Sequence, residues 1–401
     1  MWNINVVNMK HDQIIFRISQ EAAALQTCRN KSSAVETKPA IEGTRPEKPN
    51  AVSRCTWHLG VNPELNPHNN VKMNTSLLPP ILPNILAAAG NTPMVQLNKI
   101  PLAEGVQCQV LGKCEFMSFG GSVKDRMGIR MIEEAERDGK LKPGYTVIEP
   151  TSGNTGVSVA LVCAVKGYRC IIVMPQRMSQ EKADMITGLG AEIVRTNGTS
   201  FEDDDSHFTV AKRLNKEIPN SIVLDQYTSS ANGLEHYDST AEEIWAQCGG
   251  NLSMVIAGSG TGGTLTGIGR KLKERNPNIK IIGVDPEGSL VALPDSLNVL
   301  RGKKHEVEGM GHDFTPTALD QNVVDTWFKC NDKDSFQMAR RLIKEEGLLV
   351  GGSSGSIVAA ALHCAKDLKP DEKCVVILPD SIRNYMSKFL SDGWMEERGY
   401  L

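Results

Sequence analysis

One lysine of the sequence stands where a helix is predicted to begin. The stretch "GGSVKDR", residues 120–126, turns through two glycines, and Ser122 and Asp125 have the S-x-x-D spacing of a capping box. An apolar helical pattern follows and ends at Gly139, so Lys124 falls in the first helical turn. The helix macrodipole disfavours a cation at that end and favours the neutral amine. Lys124 is therefore either an ordinary surface lysine or an amine that is meant to lose its proton.

Three glycine-rich loops could bind an anion. They read "TSGNTG" at 151–156, "GSGTGG" at 258–263 and "GGSSGS" at 351–356. The first two lie between a predicted strand and a predicted helix, where backbone N–H groups can hold a phosphate. Loop 151–156 also offers three hydroxyls and an amide, which suit a carboxylate. The alternative for each loop is a plain turn or helix cap without a ligand.

Two classes of ligand could use these features. "GSGTGG" matches G-x-G-x-x-G and Asp285 lies 22 residues past Gly263, a spacing that also allows a nicotinamide dinucleotide. That interpretation leaves Lys124 and the other two loops unexplained. Pyridoxal phosphate (PLP) would use all four features, because its phosphate needs a glycine cradle and its aldehyde needs a deprotonated lysine. The substrate carboxylate would then need a separate set of donors, so the sequence favours PLP.

The elements that position these loops alternate between strand and helix. Continuous apolar strands separated by helices predict an α/β fold with a buried parallel sheet covered on both faces. The predicted strands are "TVIEP", "RCIIVMP", "AEIVRT", "SIVLD", "LSMVIAG", "KIIGVDP" and "CVVILPD", and the predicted helices include "GVSVALVCAV", "SQEKADMITGLG" and "TGIGRKLKERN".

Composition narrows the class of protein. A chain of 401 residues with 40% hydrophobic residues can bury a large core, which we expect to form two lobes. The net charge of −3 argues against nucleic acid and against an anionic membrane as partners. No apolar run approaches a membrane span of about 20 residues. The ten cysteines show no paired spacing and there is no secretory signal, so we expect reduced thiols and a cytoplasmic protein. Residues 1–50 contain a polar, proline-bearing stretch and are predicted to be a disordered arm.

Several motifs together resemble a known family. "KCEFMSFGGSVKDR", "IEPTSGNTG", "GSGTGGT", "GVDPEGS", "EEGLLVGGSSGS" and "VILPDSIRNYMSKFLSDGW" occur in the order typical of the cysteine synthase/cystathionine β-synthase family, in its haem-containing animal type. The resemblance runs from about Cys55 to Leu401. These are fold-type II PLP enzymes, so the resemblance implies two open twisted parallel-sheet lobes with the cofactor in the cleft between them. It also implies a catalytic core at 76–401 and a homodimer.

The resemblance assigns roles to individual residues. Lys124 would form the Schiff base and shuttle protons at Cα and at the leaving group. Asn154 would hydrogen-bond the cofactor's ring O3′, and Ser353 would face the pyridine nitrogen. The phosphate would be held by Gly260, Thr261, Gly262, Gly263 and Thr264, the substrate carboxylate by Thr151, Ser152, Gly153, Thr155 and Gln226, and the site would be lined by Tyr227 and Gly309.

A second cofactor follows from the resemblance alone. Relatives of the animal type carry haem on the segment that corresponds to residues 51–75, so haem b is expected there with Cys55 and His68 as axial ligands. His58 lies too close to Cys55 to fit the family pattern. Arg270 matches the arginine that pairs with the haem thiolate. Without the resemblance, a cysteine and a histidine in a polar arm would not indicate a metal site.

The implied reaction is the condensation of L-serine with L-homocysteine to cystathionine and water, with hydrogen sulfide from cysteine as a further product. The alternatives are a cysteine synthase, which uses O-acetylserine and sulfide, and a haem-binding sensor on an inactive scaffold. Two positions depart from the family pattern and are expected to border the site: Ser118 replaces an Asn and His312 replaces a Tyr. The chain stops at Leu401, so C-terminal regulatory repeats are not expected in it.

Overall fold

The structure is a computed structural model that describes residues 81–401, apart from residues 152, 177 and 199–201, together with residues 60, 62 and 64. Except for those three residues, the predicted arm at 1–50 and the predicted haem segment at 51–75 lie outside the described residues. A compact unit spans Pro79–Leu401 and corresponds to most of the catalytic core predicted at 76–401.

Among the residues just named, ten strands form two sheets. Six belong to one sheet in the order β1-β2-β10-β7-β8-β9, and four to the other in the order β5-β4-β3-β6. All neighbouring strands are parallel except β1, which runs antiparallel to β2 at one edge. The strands are β1 Met94–Gln96, β2 Gln109–Lys113, β3 Thr146–Pro150, β4 Arg169–Pro175, β5 Glu192–Thr196, β6 Ser221–Val223, β7 Met254–Gly258, β8 Lys280–Pro286, β9 Thr326–Cys330 and β10 Lys373–Ile377.

Helices connect the strands. The α-helices are α1 Lys99–Ala103, α2 Lys124–Arg137, α3 Asn154–Lys166, α4 Gln180–Gly188, α5 His207–Glu217, α6 Ser230–Glu235, α7 Ala241–Gln247, α8 Gly263–Arg275, α9 Asp332–Glu346, α10 Gly352–Cys364 and α11 Asp392–Glu397. A π-helical turn at His236–Thr240 joins α6 to α7. Short 3₁₀ turns occur at Ile85–Ala88, Glu115–Met117, Asp295–Leu297, Gln321–Val323 and Ile382–Asn384.

Each sheet is covered on both faces, as the continuous apolar strands predict. Strands β3 and β4 are buried along almost their whole length. In the small lobe, built on the four-stranded sheet, α2 and α3 pack on one face through Met127, Ile132 and Val159. Helix α5 covers the other face through Val210 and Ala211. The large lobe, built on the six-stranded sheet, has α9 and α10 in one core cluster and α7 and α8 in another.

The α/β class with parallel sheets is thus confirmed. Strands β3, β4 and β8 have the predicted bounds, while β1, β2 and β9 were not anticipated. In the part of the chain that the structure describes, no helix has both the length and the apolar composition needed to cross a membrane. The eight cysteines in the described ranges are all free thiols.

Candidate active site

A cavity of about 1060 Å³ opens between the two lobes. It lies at the carboxyl ends of β3 and β7, which is where ligands bind in open α/β sheets. Residues of both lobes line it, so the cleft brings together loops that are far apart in sequence. The predicted site residues along its wall are Lys124, Asn154, Thr155, Gln226, Tyr227, Gly260, Thr261, Gly262, Thr264, Gly309 and Ser353.

The turn before Lys124 differs in detail from the predicted capping box. Helix α2 begins at Lys124 itself, with Val123 rather than Ser122 in the cap position. The Ser122 hydroxyl accepts the Lys124 backbone N–H at 3.3 Å. The Asp125 carboxylate accepts the backbone N–H of Gly120 at 2.8 Å and thereby holds the glycine turn closed. Both side chains of the predicted capping box therefore bind backbone N–H groups of the turn: Ser122 binds that of Lys124, and Asp125 binds that of Gly120.

The Lys124 ammonium group points across the cleft. Its Nζ donates a hydrogen bond to Thr261 Oγ1 in the other lobe at 3.2 Å. Burial lowers the pKa of Lys124 to about 8, since the charged form is poorly solvated there. About a tenth of the side chains would therefore carry a neutral, nucleophilic amine at pH 7, far more than for a lysine with the ordinary pKa of 10.5. Of the two interpretations of this lysine, the structure supports the functional one.

Loop 258–264 is shaped by close backbone packing. A Cβ on Gly260 would lie 2.5 Å from the carbonyl oxygen of Gly309, and one on Gly263 would lie 1.9 Å from Asn232 Oδ1. Gly262 has a φ of +89°, which an L side chain rarely adopts. Only glycines therefore allow the loop to place its N–H groups at the start of α8, a helix of 13 residues. That arrangement fits a phosphate.

Two hydroxyls of loop 258–264, those of Thr261 and Thr264, are oriented by partners outside the loop. Thr261 Oγ1 accepts hydrogen bonds from Lys124 Nζ and, at 2.8 Å, from Asn232 Nδ2. Its own proton is thus available to an acceptor in the cavity. Thr264 Oγ1 lies 3.2 Å from Nε2 of the buried His236. Neither Asn232 nor His236 was anticipated from the sequence, because nothing in the local pattern links helix α6 to this loop.

Loop 151–155 is held by side chains instead. Asn154 Nδ2 donates to Asp380 Oδ2 at 2.8 Å, and Asn154 Oδ1 accepts from Asn384 Nδ2 at 3.1 Å. These contacts fix which way the amide points and leave its second N–H for a ligand oxygen. Asp380 also accepts the Tyr385 hydroxyl at 2.5 Å. The fit to the ring O3′ of PLP is therefore good.

A second donor of this loop, the Thr155 hydroxyl, contacts Gln226. Thr155 Oγ1 donates to Gln226 Oε1 at 2.6 Å, and the buried Glu149 accepts the backbone N–H of Gln226 at 3.2 Å. Burial raises the pKa of Glu149. Thr151 Oγ1 accepts the backbone N–H of Gly153 at 3.2 Å. Thr151, Gly153 and Gly263 shape their loops but are not among the described residues that line the cavity, and Ser152 lies outside the described residues.

Aromatic rings form one wall of the cavity. Tyr227 packs edge-on against His312, with ring centroids 5.2 Å apart, and against Phe208 at 4.9 Å. Of the two departures from the family pattern, His312 lines the cavity, as expected. Ser118 is buried but is not among the cavity-lining residues that the structure describes. Burial lowers the pKa of His312 to about 4, so its ring is neutral at neutral pH.

Asp285 does not serve as a ribose ligand. It is fully buried beneath the sheet edge, where Oδ1 accepts from Ser259 Oγ at 2.5 Å and Oδ2 accepts from Lys329 Nζ at 2.7 Å. It does not belong to the described wall of the cavity. The dinucleotide interpretation therefore fails, because the carboxylate that its spacing requires is committed to internal contacts.

A buried ion cluster at the cleft was also missed. Lys182 of the small lobe donates to Glu308 Oε2 of the large lobe at 2.7 Å, although its side chain is only 1% exposed. Lys388 contacts the other oxygen of Glu308, and Tyr385 contacts both Lys182 and Asp380. The polar run "PDSIRNY" at 379–385 was the available signal, but Tyr385 and its partner Lys182 are 203 residues apart in the chain.

The predicted haem ligands Cys55 and His68 lie outside the described residues. Within the described ranges, no group of three or more His, Cys, Asp or Glu side chains could hold a metal ion. Arg270 lies on α8 with its side chain 56% exposed and pairs with Asp320 at 2.7 Å.

This geometry agrees with the comparison to known sequences. Residues 85–380 match the family described as "Pyridoxal-phosphate dependent enzyme". The match covers well over half of the chain, and the chain belongs to this family.

Individual proteins that the chain resembles narrow the assignment within this family. The chain is 59% identical over 355 residues to the cystathionine beta-synthase of Mus musculus, covering 88% of this chain and 63% of that one. It is 55% identical over 382 residues to that of Oryctolagus cuniculus, covering 94% and 69%. The resemblance inferred from the motifs is therefore confirmed. The chain nevertheless spans only 63% of the length of the mouse and rat proteins.

A solved structure gives the same picture. The "O-acetylserine dependent cystathionine beta-synthase from Helicobacter pylori" superimposes with a TM-score of 0.71 at 36% identity, covering 77% of this chain and 98% of that one. The fold-type II assignment is thus confirmed.

Proposed function

We propose that this chain catalyses a PLP-dependent β-replacement in which L-serine and L-homocysteine give cystathionine and water. The observation that carries the proposal is Lys124, whose Nζ contacts Thr261 across the cleft and whose pKa is lowered to about 8. A depressed lysine pKa beside a glycine-built anion site is what PLP chemistry requires. The names of the similar mammalian proteins support the choice of substrates.

When bound, PLP supplies the electron sink that acidifies the Cα–H of an amino acid. The neutral Lys124 amine then takes the Cα proton and, as the ammonium, gives a proton to the departing serine hydroxyl. Water leaves from Cβ with that proton, and Lys124 is neutral again. The homocysteine thiol then gives its proton to Lys124 as its sulfur forms the new bond to Cβ. Lys124 delivers this second proton to Cα to complete cystathionine, so a single side chain serves both proton transfers.

The two loops divide the work of binding. Loop 258–264 would hold the phosphate with N–H groups and the Thr261 and Thr264 hydroxyls. Thr155 and Gln226 would hold the substrate carboxylate, since both line the cavity beside Asn154. Ser353 offers a neutral hydroxyl to the pyridine nitrogen, which does not retain a proton there as a carboxylate would. This favours prompt loss of the β-substituent over racemisation.

The test is a mass-spectrometric product assay on purified, PLP-loaded protein. One reaction contains L-serine with homocysteine, a second contains O-acetylserine with sulfide, and a third contains cysteine with homocysteine. Cystathionine from the first supports the proposal, and sulfide from the third supports hydrogen sulfide production. Cysteine from the second alone would identify a cysteine synthase. No product from any reaction would indicate a haem-binding sensor on an inactive scaffold.

Replacing Lys124 provides the control for this assay. Lys124→Ala should abolish turnover and the absorption band of lysine-bound PLP, because it removes the amine that contacts Thr261 of the proposed phosphate loop. If the band and turnover both survived, the assignment of the active site would be wrong.

We also propose haem b on residues 51–75, with Cys55 and His68 as its ligands. The support is the family pattern and the exposed guanidinium of Arg270, whose described ion pair is with Asp320. A Soret band in the purified protein that is lost in Cys55→Ser and His68→Ala, but retained in His58→Ala, would support this ligand set.

We further propose that the protein is a cytoplasmic homodimer. The exposed apolar side chains of Ile81 and Ile85 support an interface with a second copy. Light scattering coupled to gel filtration would measure the mass, and a monomer at micromolar concentration would contradict the dimer.

A further inference from the structure

A buried histidine connects two hydroxyls behind the cavity wall. His236 is fully buried at the start of the π-helical turn between α6 and α7. Its Nδ1 lies 2.9 Å from Thr240 Oγ1, one helical turn further along, and its Nε2 lies 3.2 Å from Thr264 Oγ1. Thr264 lines the cavity at the start of α8, so the imidazole ring links the π-helical turn to loop 258–264.

This link depends on a close approach of two helices. A Cβ on Gly267, which follows Thr264 by one turn of α8, would lie 2.2 Å from the carbonyl oxygen of Gly233 and 2.7 Å from His236 Cβ. Glycine at position 267 therefore lets α8 approach α6 closely enough for the imidazole to reach Thr264. The π-helical turn at His236–Thr240 is a further local departure from regular helix at the same point.

The ring is neutral. Burial and the positive charges of Lys124 and Arg126 hold the pKa of His236 well below its usual range, while Glu243 opposes them. A neutral imidazole has one N–H donor and one acceptor nitrogen, so the hydrogen bonds can run in only two directions. If Nε2 carries the hydrogen, it donates to Thr264 and the Thr264 proton is free to point into the cavity. If Nδ1 carries it, Thr264 must donate to the ring and turns a lone pair toward the cavity.

We propose that His236 is a positioning residue for the cofactor phosphate, which it serves by donating Nε2–H to Thr264 Oγ1 and directing the Thr264 hydroxyl proton into the cavity. The inference rests on the proposed function, since the PLP phosphate is the acceptor that makes this direction favourable. Phosphate oxygens only accept hydrogen bonds, and a lone pair of Thr264 facing them would be repelled. Thr261 shows the same logic, because its oxygen already accepts two N–H donors and its proton is left for the cavity.

A matched pair of variants separates the two ring nitrogens. In His236→Gln, the amide nitrogen can replace Nε2 and still donate to Thr264. In His236→Asn, the shorter side chain can replace Nδ1 toward Thr240 but does not reach Thr264. We expect the apoprotein of His236→Asn to bind PLP about tenfold more weakly than wild type, the scale of one hydrogen bond to a charged group. His236→Gln should stay within about threefold of wild type.

The tautomer itself is read by NMR of the PLP-loaded protein with ¹⁵N-labelled histidine. The His236 signals are assigned by their loss in His236→Gln, and the Nε2–H form is expected. An Nδ1–H form in a protein that binds PLP normally would overturn this inference and leave the proposed function intact. Equal PLP affinity of both variants and wild type would do the same. Failure of the wild-type apoprotein to bind PLP would instead overturn the proposed function, and this inference with it.

Discussion

Loops 258–264 and 151–155 face each other across the same cleft but are built in different ways. Loop 258–264 is held by backbone packing, since a Cβ on Gly260, Gly262 or Gly263 would lie within 2.5 Å of a neighbouring atom. Loop 151–155 is held by side chains, chiefly the Asp380 carboxylate and the Asn384 amide on Asn154. The first shape is set by steric exclusion at three glycines, and the second mainly by hydrogen bonds that can exchange partners, with Gly153 alone packed against the flexible Lys182 side chain.

The difference matches what each loop would bind. A phosphate that stays in place through every turnover suits a preformed cradle whose N–H groups do not move. A substrate carboxylate that arrives and leaves suits donors that already have protein partners to return to, such as Thr155 on Gln226 Oε1 at 2.6 Å. The rigid loop 258–264 and the more adaptable loop 151–155 thus lie on opposite sides of Lys124. The variants that follow test whether this contrast is real.

The largest effect is expected for Gly262→Ala. The new methyl would lie 2.3 Å from Leu319 Cβ and the backbone would have to keep a φ of +89°. We expect the unfolding free energy to fall by roughly 2–5 kcal/mol, from strain and overpacking together, with loss of PLP binding. Gly190→Ala is the matched control, because Gly190 has a φ of +84° and no atom within 4 Å of its Cβ position. Equal losses in a urea titration of both variants would show that steric exclusion does not shape loop 258–264.

A smaller loss of stability is expected for Lys182→Met. The methionine keeps an apolar chain near Gly153, whose Cβ position lies 2.4 Å from Lys182 Cδ, but it removes the buried ion pair with Glu308. Glu308 retains Lys388, so we expect a loss of about 2 kcal/mol, less than for an uncompensated buried charge. Lys388→Met should cost less, because that side chain is 24% exposed. The reverse order in chemical denaturation would contradict the importance of Lys182 beneath loop 151–155.

The lysine between the loops predicts a dependence on pH. Its pKa of about 8 in the folded protein lies below the ordinary value of 10.5, so the unfolded chain binds more protons between these values. The apoprotein should therefore gain stability as pH rises from 8 to 10.5, and Lys124→Met should lose this slope. The rate of PLP uptake, which needs the free amine, should rise about tenfold per pH unit below 8 and then level off. Stopped-flow absorbance that instead places the midpoint near 10.5 would show an unperturbed amine.

The smallest effect is expected for Asp380→Asn. The amide can still accept from Asn154 through its oxygen, but the bond is no longer strengthened by a negative charge. We expect PLP affinity to fall about threefold to tenfold with unchanged thermal stability of the apoprotein. Asp371→Asn, on an exposed turn, provides the control. A loss as large as that of Gly262→Ala would mean that loop 151–155 is no more adaptable than its counterpart.

Much of this arrangement could be read from the sequence. A strand that is buried on both faces is a continuous apolar run, which can be recognised in the sequence. For this reason β3, β4 and β8 were predicted with their observed bounds. The glycine loops and Lys124 were visible because they combine unusual residues at strand ends. The side chains that orient them were not, since Asn232 and His236 have ordinary local surroundings and the polar run that contains Asp380 does not reveal its partners. Their roles come from the packing of distant segments, and no local pattern records that packing.

The late segment at 378–385 has a consequence for the order of assembly on the ribosome. Pro379 accepts the backbone N–H of Val123 at 2.8 Å, and the Asp380 carbonyl accepts that of Gly351 at 2.9 Å. Strand β2 likewise takes β10 as its parallel neighbour, although some 260 residues separate them in the chain. Because synthesis proceeds from the N-terminus, the turn before Lys124 waits for a partner that is made some 256 residues later. A nascent chain stalled before residue 378 would carry Lys124 and loops 151–155 and 258–264, but it would lack the backbone acceptors of Pro379 and Asp380 that bind Val123 and Gly351.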